Sequence, residues 1–137
     1  MFSVTRLIHF CYGHRLLNYE GKCRHPHGHN GKIEITMRGA KLDRRGMLMD
    51  FEEIKTTVQK WVDSELDHKM LLNKKDPLAR LFKDLGEPIV LMDGNPTAEN
   101  IARHIYAYAK ARRLPVVNVR LWETLNSYAD YSARAGR

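Results

Sequence analysis

At 137 residues, with 43% hydrophobic and 28% charged side chains, nine glycines and five prolines, the chain has the size and composition of one globular domain, which excludes a disordered or collagen-like polymer. No apolar run approaches the roughly eighteen residues of a membrane span, residues 2–10 lack the basic and apolar regions of a signal peptide, and two cysteines make no disulfide framework, so the expected protein is soluble and cytoplasmic. The net charge of +7 is concentrated in residues 1–46 and suits an anionic small molecule; without a long Lys/Arg block, neither nucleic acid nor a membrane surface is the expected partner.

Val4, Ile8, Phe10 and Tyr12 recur at period two over residues 3–14, which predicts a strand carrying His14 on the same face. After a loop with Gly21, Pro26 and Gly28, residues 30–38 put Ile33, Ile35 and Met37 on one face of a second, antiparallel strand, and residues 39–46 read as a turn. Asp50, with Glu53 three residues on, caps a helix whose apolar positions are Phe51, Ile54, Val58, Trp61, Val62 and Leu66. Asp76-Pro77, then Leu78, Leu81, Phe82 and Leu85 before Gly86, predict a short extra helix decorating a loop. Thr97 caps a second main helix with the stripe Ile101, Ala102, Ile105, Tyr108 and Ala109, which Pro115 prevents from continuing. Val117, Val119 and Leu121 alternate along a third strand, and a short fourth is expected at residues 128–132. The expected order is ββααββ, an α+β fold in one domain over residues 1–137.

Five of the seven histidines fall between His9 and His29. In His27-Gly28-His29 two imidazoles share a strand face about 6.6 Å apart, and His14, ending the first strand, can supply a third nitrogen. Three neutral histidines with an open fourth position make a catalytic zinc site, although an HxH pair also occurs as plain surface histidine; His9 and His25 are read that way. Cys23, between Lys22 and Arg24 and four residues before His27, suits a base or nucleophile, whereas Cys11 inside a strand reads as a small core thiol. Asp67-His68 is either an acid/base pair, with the carboxylate orienting the imidazole, or a solvated helix end. Glu123 stands where alternation asks for an apolar residue, so it needs a partner: a guanidinium-like ligand edge or an arginine of this chain.

Taken together, Phe10-x-x-x-His14-Arg15-Leu16, Cys23-x-x-x-His27-Gly28-His29-Asn30, Met49-Asp50-Phe51, Leu66-Asp67-His68-Lys69, Asn95-Pro96-Thr97-Ala98-Glu99-Asn100 and Trp122-Glu123-Thr124 resemble, in order, the 6-pyruvoyltetrahydropterin synthase / 6-carboxytetrahydropterin synthase family. The resemblance implies a tunnelling fold: a four-stranded antiparallel sheet with two helices on one face, three subunits closing a barrel and two barrels stacking as a homohexamer. It implies 7,8-dihydroneopterin triphosphate as substrate, zinc held by His14, His27 and His29, and Cys23 as the proton-abstracting thiolate. Asp67 and His68 would be its relay, Glu123 the pterin anchor, and Thr97 and Glu99 would help seat the ring. Tyr12 and Gly31 depart from the family pattern, where a small and a larger apolar or aromatic residue are usual. Cys23-x3-HGH, with Arg24 where a folate-linked branch has Glu, is most like the branch forming 6-carboxy-5,6,7,8-tetrahydropterin for 7-deazaguanine (queuosine) synthesis, the pyruvoyl-forming branch resembling C-x5-HGH. The competing classes are a different lyase or aldolase on the same fold and a non-catalytic zinc or nucleic-acid-binding module, the second of which would not need Cys23, Asp67, His68 and Glu123.

Overall fold

A computed structural model describes residues 1–134. Strands β1 (Phe2–His14) and β2 (His27–Gly39) form a long antiparallel ribbon, β5 (Val116–Thr124) adds antiparallel to β2, and β6 (Ser127–Tyr131) antiparallel to β5. On the other side of β1 lie two parallel strands, β3 (Lys69–Asn73) and β4 (Ile89–Met92), giving one mixed sheet in the order β4-β3-β1-β2-β5-β6. The fold is α+β, but the sheet has six strands of mixed direction in place of four antiparallel ones, and the order is not ββααββ. The additional strands escape period-two reading because their apolar residues run on without alternation: in β3 Leu71 and Leu72 are both fully buried, as in strands covered on both faces, and β4 is apolar at every position although Leu91 is half exposed. Helix α3 (Leu78–Asp84) is consequently not a loop decoration; it is the crossover that parallel pairing of β3 and β4 requires.

The first helix runs as α1 (Phe51–Ile54), a π turn (Lys55–Gln59) and α2 (Lys60–Glu65). Its cause lies in the spacing. Ile54, Val58, Val62 and Leu66 follow one another every four residues, and in an α-helix each such step overshoots a full turn by about 40°, or about 120° over three. The wider turn absorbs that drift, and all four side chains end at 0–1% exposure. Asp50 caps this helix as expected, its Oδ1 accepting from the Glu52 N–H at 2.9 Å. Thr97 caps α4 (Ala98–Ala111) through the Asn100 N–H at 3.2 Å.

Both helices cover one sheet face, where Ile8, Phe10, Ile33, Ile35, Met37, Ile101 and Ile105 form the core with the helix stripe. Two inward assignments need correction. The β2–β5 register shifts at Thr36/Met37, so Val116 takes the core position expected of Val117. Cys11 is not a core thiol: it faces away from the helices, partly exposed, and its Sγ donates to Asn30 Oδ1 at 3.1 Å.

Candidate functional site

Antiparallel register puts His14 directly opposite His27 and Tyr12 opposite His29 at the end of the β1–β2 ribbon. His14 is also paired to Leu71 of β3, so it is held from both sides and is 2% exposed. Its Nδ1 donates to Pro96 O at 2.7 Å, and His27 Nδ1 donates to His25 O at 2.7 Å. A ring nitrogen facing a carbonyl must carry the proton, which leaves both Nε2 atoms as bare lone pairs. Those atoms nevertheless stand 3.0 Å apart, with His29 Nε2 3.2 Å from His14 Nε2. Converging lone pairs repel unless a cation lies among them, and a tetrahedral ion with bonds of about 2.0–2.1 Å needs donors about 3.4 Å apart. Burial also holds His14 and His29 below the ordinary histidine pKa, as neutral donors. The donor set therefore fits a metal ion, and these three residues are the candidate metal centre.

Beside it, Glu123 Oε1 lies 3.9 Å from His14 Nε2 and accepts from Tyr12 Oη at 3.4 Å. The arginine alternative is absent among the described residues, since Arg120 pairs with Asp130 and Glu34. Burial, and then the Glu123 charge, push the Tyr12 phenol far above its ordinary range, so it is a permanent donor. A cavity of about 330 Å³ gathers His14, Cys23, Thr97, Glu99 and Glu123. Cys23 reaches it on a 3-10 turn, Lys22–Arg24, tied by Leu16 N donating to Cys23 O at 2.8 Å. Asn95 clamps the neighbouring Leu17 with both amide atoms, 2.9 Å each, and thereby joins the loop after β1 to the start of α4. Tyr19, Ser127 and Tyr128 complete the walls; sequence reasoning missed them because exposed loop and edge positions carry no period.

Asp67 and His68 lie elsewhere. Asp67 Oδ2 accepts from His68 Nδ1 at 2.7 Å while its Oδ1 accepts from the Cys11 N–H at 2.8 Å, and the His68 N–H donates to Cys11 O at 2.7 Å. The pair is thus pinned to the β1 edge where β3 begins. Burial would raise the Asp67 pKa, but the hydrogen bonds from Cys11 and His68 outweigh it and hold the carboxyl below its ordinary range. His68 has φ +59, left-handed backbone that costs energy in a non-glycine residue. Its side chain is 76% exposed and lines a different cavity, of about 610 Å³, with Cys11, Asn30 and two residues of the candidate metal centre, His27 and His29. Within one chain, the structure gathers Cys23, Thr97, Glu99 and Glu123 around His14, while His27 and His29, which meet His14 at the candidate metal centre, line the cavity that also holds His68.

A family model described as 6-pyruvoyl tetrahydropterin synthase matches residues 3–134. A protein of Rickettsia felis named 6-carboxy-5,6,7,8-tetrahydropterin synthase is 36% identical over 137 residues, covering 95% of this chain and 99% of its own. A Haemophilus influenzae protein of the same name is 29% identical over 139 residues, covering 96% and 99%. Among solved structures, an uncharacterized protein from Wolinella succinogenes superposes with a TM-score of 0.80 at 24% identity, over 96% of this chain and 97% of that one. Caenorhabditis elegans 6-pyruvoyl tetrahydropterin synthase does so with 0.72 at 23% identity, over 96% and 95%. These last two likenesses concern the fold alone.

Proposed function

The chain belongs to the 6-pyruvoyl tetrahydropterin synthase family, and from that premise we propose that it is a zinc-dependent lyase, 6-carboxy-5,6,7,8-tetrahydropterin synthase, acting on 7,8-dihydroneopterin triphosphate. The products are 6-carboxytetrahydropterin, acetaldehyde and triphosphate, a step of queuosine (7-deazaguanine) synthesis in the cytoplasm. The observation that carries this reading is the convergence of the His14, His27 and His29 ring nitrogens within 4.8 Å of one another, with His14 also lining a cleft that holds Cys23 and Glu123, a carboxylate with no arginine partner among the described residues. No helix among the described residues is long and apolar enough to cross a membrane.

His14, His27 and His29 hold the zinc, which when bound polarises a side-chain oxygen of the substrate and acidifies the neighbouring C–H. Glu123 accepts the 2-amino and ring N–H edge of the pterin, while Thr97 and Glu99 seat the ring. The Cys23 thiolate takes the side-chain proton, and the cations Lys22 and Arg24 flanking it suit the triphosphate. Asp67 orients the His68 imidazole as the relay partner. On this reading the His68 that partners Cys23 comes from a neighbouring copy of the chain; within one chain the two residues line separate cavities that meet at the three-histidine centre. Two free sheet edges support that assembly: β3 covers β1 only at residues 12–14, and β6 has an unpaired outer side. Pairing of those edges closes a trimeric barrel, two of which stack as a homohexamer.

The test is product analysis of zinc-loaded protein with 7,8-dihydroneopterin triphosphate. Acetaldehyde and triphosphate are expected in equal amounts. Triphosphate release without acetaldehyde, with accumulation of the pyruvoyl compound, assigns the chain to the pyruvoyl-forming reaction instead.

A further inference from the structure

Tyr12 sits between Phe10 and His14 on the core face of β1 and is 3% exposed. Its ring stacks on Phe10 with centroids 5.0 Å apart and planes 19° from parallel. It meets His14 edge-on at 5.2 Å and tilts against His29 at 5.6 Å. The phenol needs space, and Gly31 supplies it. A Cβ at Gly31 would fall 2.8 Å from Phe10 Cε1 and 3.0 Å from Tyr12 Cε1, too close for either ring to stay where it is. Where the Tyr12 hydroxyl stands is therefore set by a two-ring stack laid over a glycine.

That hydroxyl donates to Glu123 Oε1, which is also the Glu123 oxygen 3.9 Å from His14 Nε2. The bond is long at 3.4 Å, as such contacts often are before a ligand closes the site. With Oε1 accepting from Tyr12, Oε2 is left to a ligand. We propose that Tyr12 is a positioning residue that orients the Glu123 carboxylate toward a ligand edge presenting an amino group and a ring N–H side by side, with Gly31 as the residue that lets the phenol reach. This rests on the reading of Glu123 as pterin anchor given above. A carboxylate oriented beforehand spends less of the binding free energy on ordering, so the effect falls on ligand affinity and not on the bond-breaking step.

The test uses zinc-loaded full-length protein as wild type, Tyr12→Phe, Glu123→Ala and the double variant. The readouts are neopterin affinity by fluorescence titration, KM and kcat on 7,8-dihydroneopterin triphosphate, zinc content and melting temperature. Tyr12→Phe removes one oxygen and keeps the stack, so it should weaken neopterin binding and raise KM by about tenfold. Its kcat should stay within about twofold of wild type, because an interaction made equally in ground and transition states moves KM alone. Zinc content and melting temperature should not change. In the Glu123→Ala background the same substitution should add less than about twofold, since its target is gone. Equal affinity of wild type and Tyr12→Phe, or an equal loss in both backgrounds, overturns the proposal while leaving the pterin reading intact. A wild type that binds no pterin overturns both.

Discussion

Cys23 and His68 line separate cavities that meet at the three-histidine centre, the first shared with His14 and Glu123, the second with His27 and His29. If they meet across a subunit boundary, two inactive variants complement: Cys23→Ala and His68→Ala subunits, dissociated and reassembled together, should regain about a quarter of wild-type activity, the fraction of boundaries with both intact groups on random mixing. Demonstrably mixed oligomers with no regained activity would exclude the shared relay.

The three-histidine centre makes a compositional prediction. Wild type reconstituted with zinc should hold one ion per subunit by elemental analysis, and His27→Ala should lose it together with activity. His9→Ala, on the exposed opposite face, should retain it. Metal retained at full stoichiometry in His27→Ala would remove the histidines from the centre.

At Glu123, the Gln substitution keeps shape and loses charge, and the Ala substitution leaves ligand donors without a partner. Pterin affinity should fall in both, for Ala by about 1.5–3 kcal/mol, the cost of a charge-assisted hydrogen bond. Calorimetric titration with neopterin reads this directly, and unchanged affinity in both variants would take Glu123 out of the site.

Asp76 is fully buried, accepts from Arg15 Nε at 2.7 Å and from a second guanidinium nitrogen, and takes the Leu78 N–H at the start of α3. The Arg15 hydrogen bonds hold its carboxyl below the ordinary range. A depressed carboxyl contributes its full stability above the unfolded value of about 3.9 and loses it as pH falls toward the lower folded value. Melting temperature should therefore drop below about pH 4, and Asp76→Asn should both lower stability by about 3 kcal/mol at neutral pH and flatten that acid limb. A variant with an unchanged acid limb would assign the effect to the other depressed carboxyls, Asp43, Asp67 and Asp130.

Legibility in the sequence followed the range of the interaction involved. The β1–β2 ribbon, the caps at Asp50 and Thr97 and the ligand set His14, His27 and His29 rest on spacing within one or two elements, and the structure has them where spacing puts them. Strands β3 and β4 carry no period because their apolar residues follow one another without polar alternation, in β3 because both faces are covered at Leu71 and Leu72, in β4 although Leu91 is half exposed. The clamp of Asn95 on Leu17 and the anchoring of Asp67 to Cys11 join residues far apart in the chain, and no local pattern encodes them. Val117 failed for a local reason of another kind: a bulge changes the parity of everything beyond it.

The π turn in the first helix also bears on how this segment tolerates changes of length. Removing one residue between Ile54 and Val58 would turn the four-four-four spacing of its buried positions into three-four-four, eleven residues in three turns, which an ordinary α-helix matches to within about 20°. Thr56 is exposed and its hydroxyl bonds only back to Glu53 O at 3.3 Å, so its deletion would take nothing from the core. Homologues one residue shorter at this place can therefore carry the same buried side chains on a regular helix, and an alignment that scores the gap as a disruption would misjudge how closely the two helices correspond.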